Sequence, residues 1–436
     1  METARLNVLD ELYLHLDRPD EPWSVHLEVA AEGWVDGDRL AEAIVAGVRA
    51  HPIARARLAP VRGTDVGYRW EVEDQLDAAP LEVVECESAD ALDAARERLM
   101  SASPSLETAP PFAVTLAHHA DGDRIMLNLS HAAGDGMSAL TLMASFLRAY
   151  AGEADLAGSV DPLGVRDIGQ LVNSRSIGSR VARGRALFEQ AARVVKSPAR
   201  IAPDGAEEER SGYGFELLHL DRSELKAVMG HRTADTTVND VLLAALAVAI
   251  RRWNERHGDP ATDPIGLMMP INLRPAEWRT EVVGNFASYV SVGFDQQDQA
   301  GLETAIDAAG ARTREIKGRG EAGLMVDLLE LPTATLPTAL KQRFQTLITM
   351  TGDRFVDTAV LSNLGRLDDL PDPGGEAGAV EAVWFSPPGR MPLGASLGAA
   401  SYDGELFLTL RYRHALLNAS AAAEFTAILR AVLTDT

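Results

Sequence analysis

Arg124-Ile-Met-Leu-Asn-Leu-Ser130-His-Ala-Ala-Gly-Asp-Gly136 is the stretch from which the rest of the chain is read. Ile125, Leu127 and Leu129 share one face with His131 if the segment is a strand. Past Gly136, Leu140, Met143, Phe146, Leu147 and Tyr150 recur at helical spacing. Strand, HxxxDG turn and helix therefore follow one another. They set an imidazole at a strand end with a carboxylate one short loop away, the layout of a positioned general base. Taken alone, the same pair is a satisfied core histidine and, at Asp135, a helix N-cap.

Outward from this turn the chain alternates strands and helices. Trp23, Val25, Leu27 and Val29 predict a half-buried strand, and Leu40, Ile44 and Val48 form the stripe of a helix over 38–50, ended by His51-Pro52. Strands are expected near 67–72 and 112–117, with a helix around 89–100 between them. From Gly152 to Gly214 the pattern is irregular and Pro-punctuated, which reads as a connector. The second half restarts with a strand over 215–220 and a helix from Arg222. The strongest helix follows over 238–255, opened by a Thr237/Asp240 capping box and closed at His257-Gly258. Strands are expected over 265–269, 286–294 and 406–412, and Phe425, Ile428, Leu429 and Val432 mark a closing amphipathic helix.

Three further motifs lie downstream: Pro270-Ile-Asn-Leu-Arg-Pro275, Val283-Gly-Asn-Phe286 and Ser362-Asn-Leu-Gly365. By themselves they are turn residues and a surface cation. In this order and spacing, with HxxxDG before them, the chain resembles the superfamily of condensation domains, wax-ester synthases and polyketide-associated acyltransferases of the phthiocerol-dimycocerosyl-transferase type. The signature HHxxxDG falls on His131, Asp135 and Gly136, with Ser130 in place of the first histidine. The resemblance implies an α/β fold of two chloramphenicol-acetyltransferase-like domains forming a pseudo-dimer, with a central cleft and a tunnel leading to His131 from both sides. On that reading residues 1–160 form the N-terminal domain carrying HxxxDG, 161–214 a helical, basic connector, and 215–436 the C-terminal domain. It implies acyl transfer from a thioester, acyl-CoA or an acyl-carrier protein, to a hydroxyl or amine of a small acceptor, with His131 as general base. Asp135 is then an orienting residue. Arg274 is its expected partner, with Arg55 and Arg57 as alternatives. Ser362, Asn363 and Asn285 are candidate donors to the oxyanion. Relatives that only bind or recruit, or that cyclise, supply a second reading, and thioester hydrolysis a third.

The 436 residues and 46% apolar content suffice for two cores, and the net charge of −23 opposes a nucleic-acid partner. One segment runs the other way. Between Leu171 and Arg200, six arginines and Lys196 face a single acid, Glu189. This is either a solvated helix face or a docking surface for coenzyme A phosphates or an acidic carrier, with Arg180, Arg183 and Arg185 as its candidates. Cys86, the one cysteine, reads as a small core residue. With no signal segment and no long apolar run, a cytoplasmic monomer is expected, without transmembrane segment, metal or bound cofactor beyond the thioester co-substrate. Gly394-Ala-Ser-Leu-Gly398 matches GxSxG but leads into a hairpin strand and not a helix, so Ser396 is read as a small inner-strand residue. His118-His119 is assigned to a polar hairpin turn.

Overall fold

A computed structural model describes residues 2–155, 158–172, 198–207, 210–258, 263–343, 356–389 and 391–434. Its strands are β1 (Glu2–Arg5), β2 (Ser24–Ala31), β3 (Ala56–Leu58), β4 (Arg69–Val72), β5 (Leu81–Cys86), β6 (Phe112–His119), β7 (Arg124–Ser130), β8 (Tyr213–Leu220), β9 (Ile265–Asn272), β10 (Ala287–Phe294), β11 (Ala359–Arg366), β12 (Val380–Ser386), β13 (Ala395–Tyr402) and β14 (Glu405–Arg413). They build two main mixed sheets, ordered β12-β2-β7-β6-β5 and β10-β9-β11-β13-β14-β8, and a small third sheet, β1-β4-β3.

Each main sheet packs one face against a helical core, and β2, expected to be half-buried, is buried along its whole length because the opposite face is covered as well. In the first lobe Val25, Leu27 and Val29 of β2 and Ile125, Leu127 and Leu129 of β7 pack in one core with Leu40 and Ile44 of helix Gly37–Gly47 and with Leu142, Met143 and Phe146 of helix Gly136–Ala151. In the second, every residue from Val241 to Ile250 of helix Val238–Arg256 is buried. Thr237 caps that helix reciprocally with Asp240. The strand expected near 67–72 belongs to the small sheet and not to the main layer. His118 and His119 end β6, and the turn proper follows them; His118 is buried, bonded to Asp123 and stacked on Trp34. Ser396 is buried within β13, its hydroxyl bonded to the Pro388 carbonyl. Cys86 is buried.

Two of the features that join the halves are a strand exchange and an ion pair. β12, drawn from the second half of the sequence, pairs antiparallel with β2 and forms an edge of the first sheet. The exchange works because Gly398 on β13 lets the β12 backbone come close: any Cβ there would overlap the Phe385 carbonyl. The second joint is electrostatic. Arg274 Nη1 lies 2.7 Å from Asp135 Oδ2, with the two side chains 0% and 4% exposed. The same guanidinium donates to Ser138 Oγ and to the Gly284 and Val282 carbonyls and lies over the Phe286 ring. Arg55 is spent on the carbonyls of Val48, Glu73 and Asp74, and Arg57 pairs with Glu71 and Glu73.

Replacing Arg274 by Met strands a buried carboxylate and should lower the unfolding free energy by about 3–5 kcal/mol in a denaturant titration. Gly398→Ala should cost about 1–3 kcal/mol by overpacking the strand contact. In the same titration Gly293→Ala, whose Cβ would meet nothing within 4 Å, should stay within about 0.5 kcal/mol of the parent protein. Equal stability of the two glycine variants would argue against the strand contact.

Candidate active site

His131 follows β7 directly, its N–H bonded to the Trp23 carbonyl at 3.0 Å. Asp135 ends the loop as N-cap of the next helix, accepting from Ser138 N at 3.1 Å, and also accepts from Phe286 N at 2.9 Å. The N-cap and the ion-pair readings are thus both true of one carboxylate. Burial pushes the Asp135 carboxyl up, but the charge and hydrogen bonds of Arg274, with the Phe286 and Ser138 amides, outweigh this and hold it below the usual range. Gly136 has no room for a side chain: a Cβ would stand 2.8 Å from the Phe385 ring and 2.9 Å from Leu364.

Asp135 acts on the imidazole through its charge and is not the hydrogen-bond partner of Nδ1. The partner is Asn285, whose Oδ1 lies 3.1 Å from His131 Nδ1. The orientation of that amide is fixed by its other end, since Nδ2 faces three acceptors: Asp10 Oδ1 at 3.0 Å and the carbonyls of His131 at 2.7 Å and Ala132 at 3.1 Å. Only N–H can serve three acceptors, so Oδ1 must face the ring. Nδ1 therefore carries the proton, and Nε2 presents its lone pair. That lone pair meets the Tyr289 hydroxyl at 3.1 Å. Burial pushes the tyrosine's pKa upward, so the phenol keeps its proton and donates a hydrogen bond to the ring.

The expectation of a histidine open to a tunnel is corrected by this conformation. His131 is 2% exposed. The reason is aromatic packing: the ring of Tyr13 lies 4.0 Å from the imidazole, and Tyr289 meets Tyr13 edge to face at 6.0 Å and covers Nε2. Burial drives the imidazole's pKa down to about 4, against an opposing pull from Asp135. At neutral pH the ring is a neutral base.

The other expected residues divide. Asn285 has both ends of its amide committed, which removes it as an oxyanion donor and makes it the residue that sets the imidazole's tautomer. Ser130 is buried, and its hydroxyl has no partner among the described residues. Ser362 is buried in β11, and the Asn363 side chain accepts from Gly365 N, serving a local turn. Arg180, Arg183 and Arg185 lie outside the described residues. Three site residues escaped the sequence reading. Tyr13 and Asp10 sit on helix Val8–Leu16, which no motif announced. Tyr289 lies on a strand that was expected, where alternation alone gave it no more weight than its neighbours. Asp10 anchors the cluster, buried and bonded to Asn285, Trp70 and Arg166. Among the described residues no group of three or more His, Cys, Asp or Glu is placed to hold a metal ion, and no helix is long and apolar enough to cross a membrane.

Comparison with known proteins adds the family. An uncharacterised protein of Mycobacterium tuberculosis is 37% identical over 435 residues, 99% of each chain. A second protein of that organism, provisionally named a diacylglycerol O-acyltransferase, is 29% identical over 236 residues, 48% of this chain and 49% of its own. Among solved structures, the epimerization domain from the third module of tyrocidine synthetase B superposes with a TM-score of 0.67 at 17% identity, covering 99% of this chain and 95% of that one. The condensation domain of the monacolin K polyketide synthase gives 0.66 at 12%, covering 100% and 97%. The cyclization-docking bidomain of a nonribosomal peptide synthetase from Sorangium cellulosum gives 0.67 at 16%, covering 100% and 85%. At these identities the likeness is one of fold, a mixed α/β arrangement of two chloramphenicol-acetyltransferase-like lobes. The family model for the condensation domain matches residues 13–352, and the chain belongs to that family.

Proposed function

We propose that the protein is an acyltransferase in which His131 is the general base for transfer from a thioester to a small acceptor. One observation carries the reading: a buried, neutral imidazole whose tautomer is set by Asn285 and whose Nε2 already accepts a hydrogen bond from a hydroxyl. In the reaction Nε2 takes the proton of the acceptor's O–H or N–H as that atom bonds to the thioester carbonyl. The C–S bond then breaks, and the imidazolium returns the proton to the leaving thiolate. No acyl-enzyme forms. Burial suits these steps, because a ring that is neutral at pH 7 needs no prior deprotonation. Asp135 and Arg274 fix the loop, and Asn285 fixes the ring. The donor, coenzyme A or a carrier protein, is proposed to dock through Arg180, Arg183 and Arg185.

A second reading, a module that binds acyl thioesters without transferring them, draws on the enclosure of His131. Incubation with a panel of acyl thioesters and candidate alcohols or amines separates the two, with thiol release and product mass as readouts. A thermal shift on adding acyl-CoA without any product favours the module.

His131→Ala should lower turnover by at least about 10²-fold while the circular dichroism spectrum stays unchanged. A folded variant with the parent rate removes the residue from the mechanism. With the base pushed down to about 4, the ring is deprotonated throughout the neutral range. The profile of kcat/KM should accordingly stay level as pH falls from 8 through the ordinary histidine range and drop only as it nears that value, where imidazolium accumulates. An acidic limb centred near 6.5 would show that the free enzyme holds its histidine in a far more polar setting.

A further inference from the structure

We propose that Tyr289 is the door of the acceptor subsite: its hydroxyl occupies the one position on His131 Nε2 that an acceptor must take, and the acceptor enters as the tyrosine swings out. The proposal rests on the acyl-transfer reading. It further assigns the acceptor as an uncharged hydroxyl.

A neutral imidazole nitrogen has one in-plane lone pair, so the Tyr289 hydroxyl and an acceptor hydroxyl exclude each other. The two rings around the imidazole differ in freedom. Tyr13 is 0% exposed, and its hydroxyl is tied to the Ala287 carbonyl at 3.0 Å. It is a wall. Tyr289 is only partly exposed, packed against the cluster that holds Tyr13 and bonded to its hydroxyl, yet it is the more open of the two rings. It lies on β10, an edge strand of the six-stranded sheet. Its same-face neighbours along that strand, Ala287 and Ser291, are small, and its cross-strand partner is Pro270. A rotation about χ1 therefore meets no bulky side chain on its own strand.

The slot is also selective in charge. It holds a neutral phenol against a neutral imidazole in a dry setting where an ammonium ion has no described counter-charge: Asp10 and Asp135 are each already paired with an arginine. An alcohol or phenol can replace Tyr289 group for group. A protonated amine must first shed its proton in water.

The test labels His131 with diethyl pyrocarbonate, which acylates neutral imidazole, at pH 7 and reads each histidine by peptide mass spectrometry. The partly exposed His219 serves as internal standard. In the parent protein His131 should label slowly. In Tyr289→Ala it should label at least tenfold faster, and in Tyr289→Phe, which keeps the ring and the packing, measurably faster than the parent. Parent rates at His131 in both variants overturn the door. If Tyr289→Ala does not fold, as judged by circular dichroism, the Phe variant decides in the same way. In the opened Ala variant, phenol should restore protection and benzylammonium should not. Equal protection by both overturns the assignment of an uncharged hydroxyl. Labelling reads access to the ring whether or not the protein transfers acyl groups, so it is independent of the failure of the His131→Ala test.

Discussion

An arginine and an aspartate sealed away from water hold the two halves of this chain in register. In the dry contact between the lobes neither Arg274 nor Asp135 can be hydrated, so each is bound to the other and to every polar group within reach. The geometry of the site follows from that constraint. Asp135 takes the amide of Phe286, which places Asn285 beside the His131 loop, and Asn285 in turn grips the His131 and Ala132 carbonyls with one end of its amide. The other end sets the proton on Nδ1. A charge pair between lobes thus determines which nitrogen of a histidine is basic, although the carboxylate is not that ring's hydrogen-bond partner.

Burial acts twice on the imidazole. It lowers the affinity of the ring for a proton, which keeps it a base at neutral pH, and it leaves the ring dependent on neighbours for every hydrogen bond. Tyr289 satisfies Nε2 when nothing else does, which avoids the cost of an unpartnered buried lone pair. The arrangement is self-consistent without substrate. On the proposed acyl-transfer reading, reactivity depends on exchanging one hydroxyl for another, a smaller rearrangement than opening the lobes.

Much of the architecture was legible because it rests on local rules. The helix at Val238–Arg256 announced its cap and its end, and HxxxDG carried strand, turn and helix in thirteen letters. The Arg274 motif pointed across the chain only through the family resemblance, since by itself it reads as a surface cation in a turn. What stayed hidden depended on long-range packing. Asn285 was visible as a polar residue near the site, yet its task became clear only from three acceptors belonging to Asp10, His131 and Ala132. Tyr13 lies in a helix without a motif, and Tyr289 is one aromatic residue on an alternating strand. The enclosure of His131 comes from these two rings together, and neither signals the other in one dimension. The placement of β12 in the first sheet is likewise a fact of topology, since nothing in Val380–Ser386 says which edge it will join.

That placement bears on how the protein is made. The outer edge of β2 is completed by residues 380–386, which leave the ribosome long after β2 itself. Until then the nascent first lobe carries an open backbone edge of eight residues, Ser24–Ala31, able to template association with other chains. Its sheet closes only once residues 380–386 have emerged. Cutting the gene between the halves would consequently yield fragments that need each other, related as complementing partners and not as independent domains.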